Sequence, residues 1–279
     1  MSHLRRIRLL TVVFLAALAL SVGTFGAAGT TIHFSSLDKK KPVNVSGTLY
    51  LPEKSPGPCP AIVIVHGTTG IDSRGAFYRD SLLNAGMAVF EVDFRTGIYS
   101  GPSDRPSPEA LLPMGFAALK ELRKLPAIDP QRIGIMGFSM GGHLTVNAAF
   151  EKNRKLWLGE EKGFAAHAAF YPVCKTFVRH DEGKVTGAPM IIFYGTEDTY
   201  GDGKAVPEFK RLLLQNYNFE LVTVEYPGAQ HGFNRNAPPL KYHDPAANGF
   251  RGYMAWDPEA ANDSLHRVVA FLRETLAAK

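Results

Sequence analysis

The sequence predicts an α/β protein: a doubly wound, mostly parallel sheet flanked by helices and built as one domain. Three observations carry this reading. Strand-like and helix-like stretches alternate from residue 61 onward. Residues 61–65 form a continuous apolar run, the pattern of a strand buried on both faces. Finally, Gly137-Phe138-Ser139-Met140-Gly141 lies between a short apolar run, 133–136, and an Ala-rich stretch of helical character, which is a strand–turn–helix junction. A chain of 279 residues with 45% hydrophobic and 20% charged residues can bury a full core.

The N-terminus stands apart from that core. Residues 1–28 read as a secretory signal peptide. Arg5, Arg6 and Arg8 precede an apolar run over 9–22, and Gly26 and Ala28 fit a small-residue cleavage site. The folded domain is then 29–279, and the protein is exported, periplasmic or secreted, with no stable membrane insertion after cleavage. An uncleaved, membrane-anchored form is the alternative, although the apolar run is short for a spanning helix. The segment holds three arginines and no acid, so its removal lowers the formal charge from +5 to +2. Lys39, Lys40 and Lys41 are the one basic run left, and a solvated loop explains them without a nucleic-acid partner. No phosphate loop, dinucleotide fingerprint, His-Glu-x-x-His or Cys-x-x-Cys occurs, so neither cofactor nor metal is expected. Oligomeric state is left open.

Taken in order, 32–34 and 45–51 read as two outer strands that precede any helix. The run 61–65 ends at His66-Gly67-Thr68-Thr69-Gly70, a helix follows over 76–85, and 88–92 is the next strand. A Pro/Gly/Ser loop covers 97–108 and an amphipathic helix 109–125. Ile128-Asp129-Pro130 turns the chain into the strand before Ser139. Later strands are expected at 165–170, 190–194 and 221–226, with helices near 206–215 and 259–277.

Gly-x-Ser-x-Gly alone occurs by accident in roughly one chain in ten of this length, so its weight depends on partners. Reactive groups in open parallel sheets collect at the carboxyl ends of the strands. Downstream of Ser139 those ends offer Glu197 and Asp198, then His231; Asp202 is a further acid. The order serine, acid, histidine makes Ser139 a candidate nucleophile, His231 its base and Asp198 the group that orients the imidazole. Glu197 and Asp202 compete for the acid's role. Of the other histidines, His167 lies inside a strand and packs, and His143 sits one turn beyond Ser139 in a structural place. Backbone donors for an oxyanion are expected from Met140, after the serine, and from Thr68, in the loop after the first central strand.

Residues 128–142, 170–174, 194–198 and 226–234 together resemble the dienelactone hydrolase family of α/β-hydrolases, a likeness that covers roughly 42–275. The resemblance implies a single-domain α/β-hydrolase fold and a triad of Ser139, Asp198 and His231. The enzymes that name the family use a cysteine nucleophile, so Ser139 turns the expectation from dienelactone toward general carboxylic esters of small to medium size, lactones included. Arg95 falls where family members place a substrate-binding arginine. The implied partner is a small-molecule ester cleaved through an acyl-enzyme. Two alternatives stay open: a peptidase or amidase with the same triad, and a non-catalytic binding module on the same fold.

Cys59 precedes one central strand and Cys174 follows another, so in a parallel sheet they belong to opposite edges, about 15–20 Å apart at ~3.3 Å per residue. No disulfide between them is expected, because bridged Cα atoms lie within about 7 Å. Residues 234–258 read as a long structureless run rich in aromatics. Since it begins directly after His231, Tyr242, Tyr253 and Trp256 are expected to form a wall of the substrate site. The bland alternative is a cover over the side of the sheet.

Overall fold

Successive residues of a strand face opposite sides of a sheet, and the central strands put apolar groups on both. In β3 (Cys59–Val65), Ala61, Val63 and Val65 enter one core while Ile62 and Ile64 enter another. Helices therefore cover both faces. The computed structural model describes residues 28–54, 57–95, 107–180 and 182–277. All of the expected signal peptide but Ala28, and nearly all of the loop expected over 97–108, lie outside the described residues.

One sheet runs in the order β1 (Thr30–Ser35), β2 (Asn44–Tyr50), β4 (Ala88–Asp93), β3, β5 (Ile128–Phe138), β6 (Ala166–Phe170), β7 (Met190–Gly195) and β8 (Leu221–Tyr226). The β1–β2 and β2–β4 pairs are antiparallel, and every later pair is parallel. The helices are α1 (Ser73–Asn84), α2 (Pro108–Arg123), α3 (Met140–Asn147), α4 (Glu151–Leu158), α5 (Lys175–Arg179), α6 (Asp202–Asn216) and α7 (Pro258–Thr275). Tyr78 and Leu82 of α1 share a core with Val268 and Leu272 of α7 on one face. Residues of α2, α3 and α6 pack on the other. With β4 on one side of β3 and β5 on the other, the winding reverses at β3. The loops leaving β3 and β5 diverge there and open a crevice at the carboxyl edge.

The strand ends around that crevice are locked by an aromatic ladder. Phe138, Phe170, Phe193 and Tyr226 stand side by side on β5 to β8, with successive ring centroids 5.1, 4.6 and 6.5 Å apart. Burying each phenylalanine contributes about 1.5–3 kcal/mol, and each close ring pair adds about 0.5–1.5 kcal/mol. That energy fixes the carboxyl ends of the four strands relative to one another.

Helices α4 and α5 have no counterpart among the expected elements, and three further elements depart from the expectation. Helix α1 starts at Ser73, because Asp72 caps it by accepting from the Arg74 N–H at 3.1 Å. Residues 128–130, read as a turn, already belong to β5: Ile128 pairs with Cys59, and a register shift absorbs Pro130 before Ala61 meets Ile133. Most importantly, 234–258 is not structureless. β9 (Leu240–His243) and β10 (Arg251–Met254) form an antiparallel hairpin, closed by a short 3₁₀ turn at Asn248–Phe250.

Cys59 begins β3 and Cys174 directly precedes α5; both are buried and unbridged. Burial, and then the nearby Asp202 charge, pushes the Cys174 thiol well above its ordinary range, so it is a poor nucleophile.

His167 packs inside β6, as expected, fully buried and with neither ring nitrogen hydrogen-bonded. Burial lowers its pKa from 6.5 to about 4, outweighing the nearby carbonyls of Pro189 and Ala148. The unfolded chain therefore binds the extra proton first as pH falls. The stabilisation is complete above about pH 6.5 and is lost toward pH 4, a loss on the order of 3 kcal/mol. His167→Leu should remove this component: the urea midpoint of the variant should fall less than that of the wild type between pH 7 and pH 4. Parallel pH dependences would show that the imidazole is not the group responsible.

Candidate active site

Ser139 stands between β5 and α3 with φ 55° and ψ −114°, a strained conformation for a residue with a side chain. The strain is held by the surroundings. The Ser139 N–H donates to the Phe170 carbonyl at 2.9 Å and its carbonyl accepts from the His143 N–H at 2.8 Å. Two glycines make so tight a turn possible. A Cβ on Gly137 would lie 2.1 Å from the Gly141 carbonyl oxygen, and one on Gly141 would lie 2.3 Å from that of Val65.

His231 lies in the loop after β8, fully buried, with Nε2 2.8 Å from Ser139 Oγ and Nδ1 2.7 Å from Asp198 Oδ2. Asp198 follows β7, and its other oxygen accepts from the Tyr200 N–H at 2.7 Å. The carboxylate can only accept, so the imidazole proton sits on Nδ1. Nε2 is then left to accept the serine hydroxyl proton. An imidazole held this way can take that proton when Ser139 attacks, and the buried carboxylate steadies the positive charge that results.

The structure separates the three acids. Glu197 is exposed. Asp202 is buried, but its oxygens accept from the Val173 N–H at 2.9 Å and the Cys174 N–H at 2.6 Å. It thereby pins a turn in which Tyr171 and Val173 both have positive φ. Burial first, and then the Asp198 charge, holds its carboxyl well above the usual carboxylate range. Asp198 alone of the three bonds to His231. His143 is buried one turn beyond Ser139, stacked on Phe177 and hydrogen-bonded to the Pro172 carbonyl.

The two expected oxyanion donors come from the loops that leave β5 and β3. Met140 opens α3, whose first N–H groups and positive dipole end face the elbow. Thr68 is half-buried in the turn after β3, closed by the Gly70 N–H to the Gly67 carbonyl at 3.0 Å. His66 ties that turn to β4: Nε2 accepts the Phe94 N–H at 3.0 Å, which leaves Nδ1 to donate to the Gly67 carbonyl at 2.7 Å. Arg95 reaches the same turn, with its guanidinium donating to the Thr69 carbonyl at 2.9 Å.

The three aromatics expected in a substrate wall make separate contacts, although Tyr242 and Tyr253 lie on the two strands of one hairpin. The Tyr242 hydroxyl meets that of Tyr200 at 2.9 Å. Tyr253 lies under Lys241, and Trp256 packs edge-on against Phe77 of α1, with centroids 5.7 Å apart.

Sequence reasoning missed a buried polar chain behind the histidine. Arg74, 1% exposed, clamps Asp72 with two hydrogen bonds of 2.7 and 2.8 Å and donates to Thr69 Oγ1 at 3.0 Å and the Tyr171 hydroxyl at 3.4 Å. Tyr171 donates to Asn234 Oδ1. The Asn234 amide donates to the Tyr78 hydroxyl, which donates to Ser264 Oγ, whose own hydroxyl donates to the Ala261 carbonyl. The proton order is thus set from a permanent cation at one end to a carbonyl at the other. The chain ties the turn holding Thr68 to Tyr171, whose ring meets His231 edge-on at 4.6 Å. Nothing in the spacing of Arg74, Tyr171 and Asn234 announces this contact; it exists only once β3, β6 and β8 are aligned.

A sheet of this order, with its reactive groups leaving β5, β7 and β8, is the architecture of the α/β-hydrolases. Within that superfamily the chain belongs to the dienelactone hydrolase family, whose sequence pattern it matches over residues 45–276. It is 32% identical to an uncharacterised protein of Mycobacterium tuberculosis over 162 residues, 54% of this chain and 57% of that protein. It is 27% identical to the esterase FrsA of Photorhabdus laumondii over 113 residues, 40% of this chain and 27% of that protein. The chain therefore spans little more than half the length of the first relative and about a quarter of the second. In fold it is similar to Thermogutta terrifontis esterase 2 with propionate bound, at a TM-score of 0.62 and 21% identity, covering 91% of this chain and 97% of that one.

Among the described residues, no group of three or more His, Cys, Asp or Glu is arranged to hold a metal ion. None of the described helices is long and apolar enough to cross a membrane.

Proposed function

We propose that the protein is a serine hydrolase of carboxylic esters. The observation that carries this is the unbroken hydrogen-bond chain from Ser139 Oγ through His231 to Asp198, buried at the switch point of the sheet. Ser139 attacks the ester carbonyl while His231 Nε2 takes its proton. The N–H groups of Met140 and Thr68 receive the developing oxyanion. The tetrahedral intermediate collapses as His231 returns the proton to the departing alcohol, leaving the acyl group on Ser139. Water activated by the same imidazole then releases the acid.

Family membership supports an ester or lactone as the bond cleaved, and residues 1–28 support export of the enzyme before it acts. A panel of p-nitrophenyl esters from short to long acyl chains, with a lactone and a peptide included, tests the substrate class. Turnover of the shorter esters and none of the peptide is expected. Peptide cleavage at rates matching the esters would replace an esterase with a peptidase, and no turnover of any substrate would favour a binding module.

A further inference from the structure

Tyr200 touches both groups that serve the serine. Its N–H donates to Asp198 Oδ1 at 2.7 Å, and its ring centroid lies 4.4 Å from that of His231. Its hydroxyl donates to Asp244 Oδ2 at 2.7 Å. A phenol has one proton, so the 2.9 Å contact with Tyr242 must be a bond donated by Tyr242. Burial, reinforced by these two neighbours, holds the Tyr200 phenol far above the ordinary tyrosine range, so it stays a donor.

Both tethers come from the β9–β10 hairpin. Tyr242 lies in β9, and Asp244 follows it in a built turn: its Oδ1 accepts the Ala246 N–H at 2.9 Å and its own N–H donates to the Phe250 carbonyl at 3.2 Å. The hairpin grips the same segment through its backbone. The Asn248 N–H reaches the Thr199 carbonyl at 2.8 Å, and the Tyr253 N–H reaches Thr199 Oγ1 at 3.2 Å. Met254 of β10 forms a parallel bridge with His231 itself. The segment that carries the acid and the loop that carries the base are therefore joined by one ribbon.

We propose that this hairpin is a positioning element, which acts through Tyr242 and Asp244 on Tyr200 to hold the Asp198 carboxylate and the His231 ring in line with Ser139. The proposal rests on the triad reading above. Proton transfer is steep in geometry, and a misplacement near 1 Å costs about 10²-fold in rate. The backbone ties survive loss of a side-chain tether, so the expected effect is smaller than that and falls on kcat. A substrate wall made of the same residues would instead change KM and the ranking of substrates.

The test is steady-state kinetics on the p-nitrophenyl ester panel with the full chain, for Tyr200→Phe, Tyr242→Phe, Asp244→Asn and the double variant Tyr200→Phe/Asp244→Asn. Thermal unfolding is measured alongside. Each single change should lower kcat by about 5- to 20-fold, with KM within about twofold and the substrate ranking kept. The double variant should be no slower than the slower single, because Tyr200→Phe already removes the hydroxyl through which Asp244 acts. Unchanged kcat in the single variants, or altered KM and ranking with kcat retained, overturns the proposal. Should Tyr200→Phe fail to fold, half-buried Tyr242 still decides it. Wild-type turnover that depends on Ser139 alongside unaffected variants removes the positioning role alone. Turnover that survives Ser139→Ala removes the triad reading, and this proposal with it.

Discussion

Ser139→Ala should abolish ester hydrolysis, with a loss on the order of 10⁶ in kcat if the serine and histidine act as a unit. The change removes the Oγ that lies 2.8 Å from His231 Nε2 and leaves the imidazole no hydroxyl to deprotonate. The fold should hardly notice. The side chain contributes one oxygen and no core volume, and φ 55° is as tolerable for alanine as for serine. The buried Nε2 loses a donor, which costs about 1 kcal/mol. A variant that melts within about 2–4 °C of the wild type and loses turnover separates chemistry from folding. Substantial residual turnover in the pure variant would contradict the assignment of the nucleophile.

Asp198→Asn should cost on the order of 10⁴ in kcat. The asparagine oxygen can still take the Tyr200 N–H, as Asp198 Oδ1 does. Its amide nitrogen then faces His231 Nδ1, where Oδ2 now accepts at 2.7 Å. Two donors cannot share one bond, so the imidazole moves its proton to Nε2 and can no longer receive one from Ser139. The missing carboxylate charge also leaves the imidazolium unsupported. The comparison variants differ in kind. Glu197→Gln alters an exposed side chain and should be near neutral. Asp202→Asn keeps one acceptor for the Val173 and Cys174 N–H groups and loses the other, so its cost should fall on stability. A greater loss of kcat in Asp202→Asn than in Asp198→Asn would identify the wrong acid.

The legible parts were those where local chemistry and sheet topology agree. Residues 61–65 announce a strand by apolar content alone, and the glycines around Ser139 announce a turn that no larger residue could make. Strand ends then rank the candidates for acid and base, which is how Asp198 stands out from Glu197 and Asp202, and His231 from the other histidines. What stayed hidden depends on register between distant segments. β9 and β10 are four residues each, separated by a seven-residue connection, and their alternation is too short to distinguish from a loop. Arg74 sits in a helix whose pattern gives no hint that its guanidinium is buried, because the groups that satisfy it, Thr69, Asp72 and Tyr171, come from two separate parts of the chain. In the sequence Tyr242 stands out only as an aromatic ring, whereas in the fold its hydroxyl makes the contact with Tyr200.

The most direct measurement is mass spectrometry of the protein after reaction with a fluorophosphonate, followed by peptide mapping. A phosphonyl adduct forms on a serine whose proton is drawn off by a positioned base, and a serine without that base reacts far more slowly. A single adduct on Ser139 is expected in the wild type, with none in Ser139→Ala and much slower labelling in Asp198→Asn. An unlabelled Ser139 in folded wild-type protein, or equal labelling with and without the Asp198 carboxylate, would contradict a nucleophile activated by His231 and Asp198.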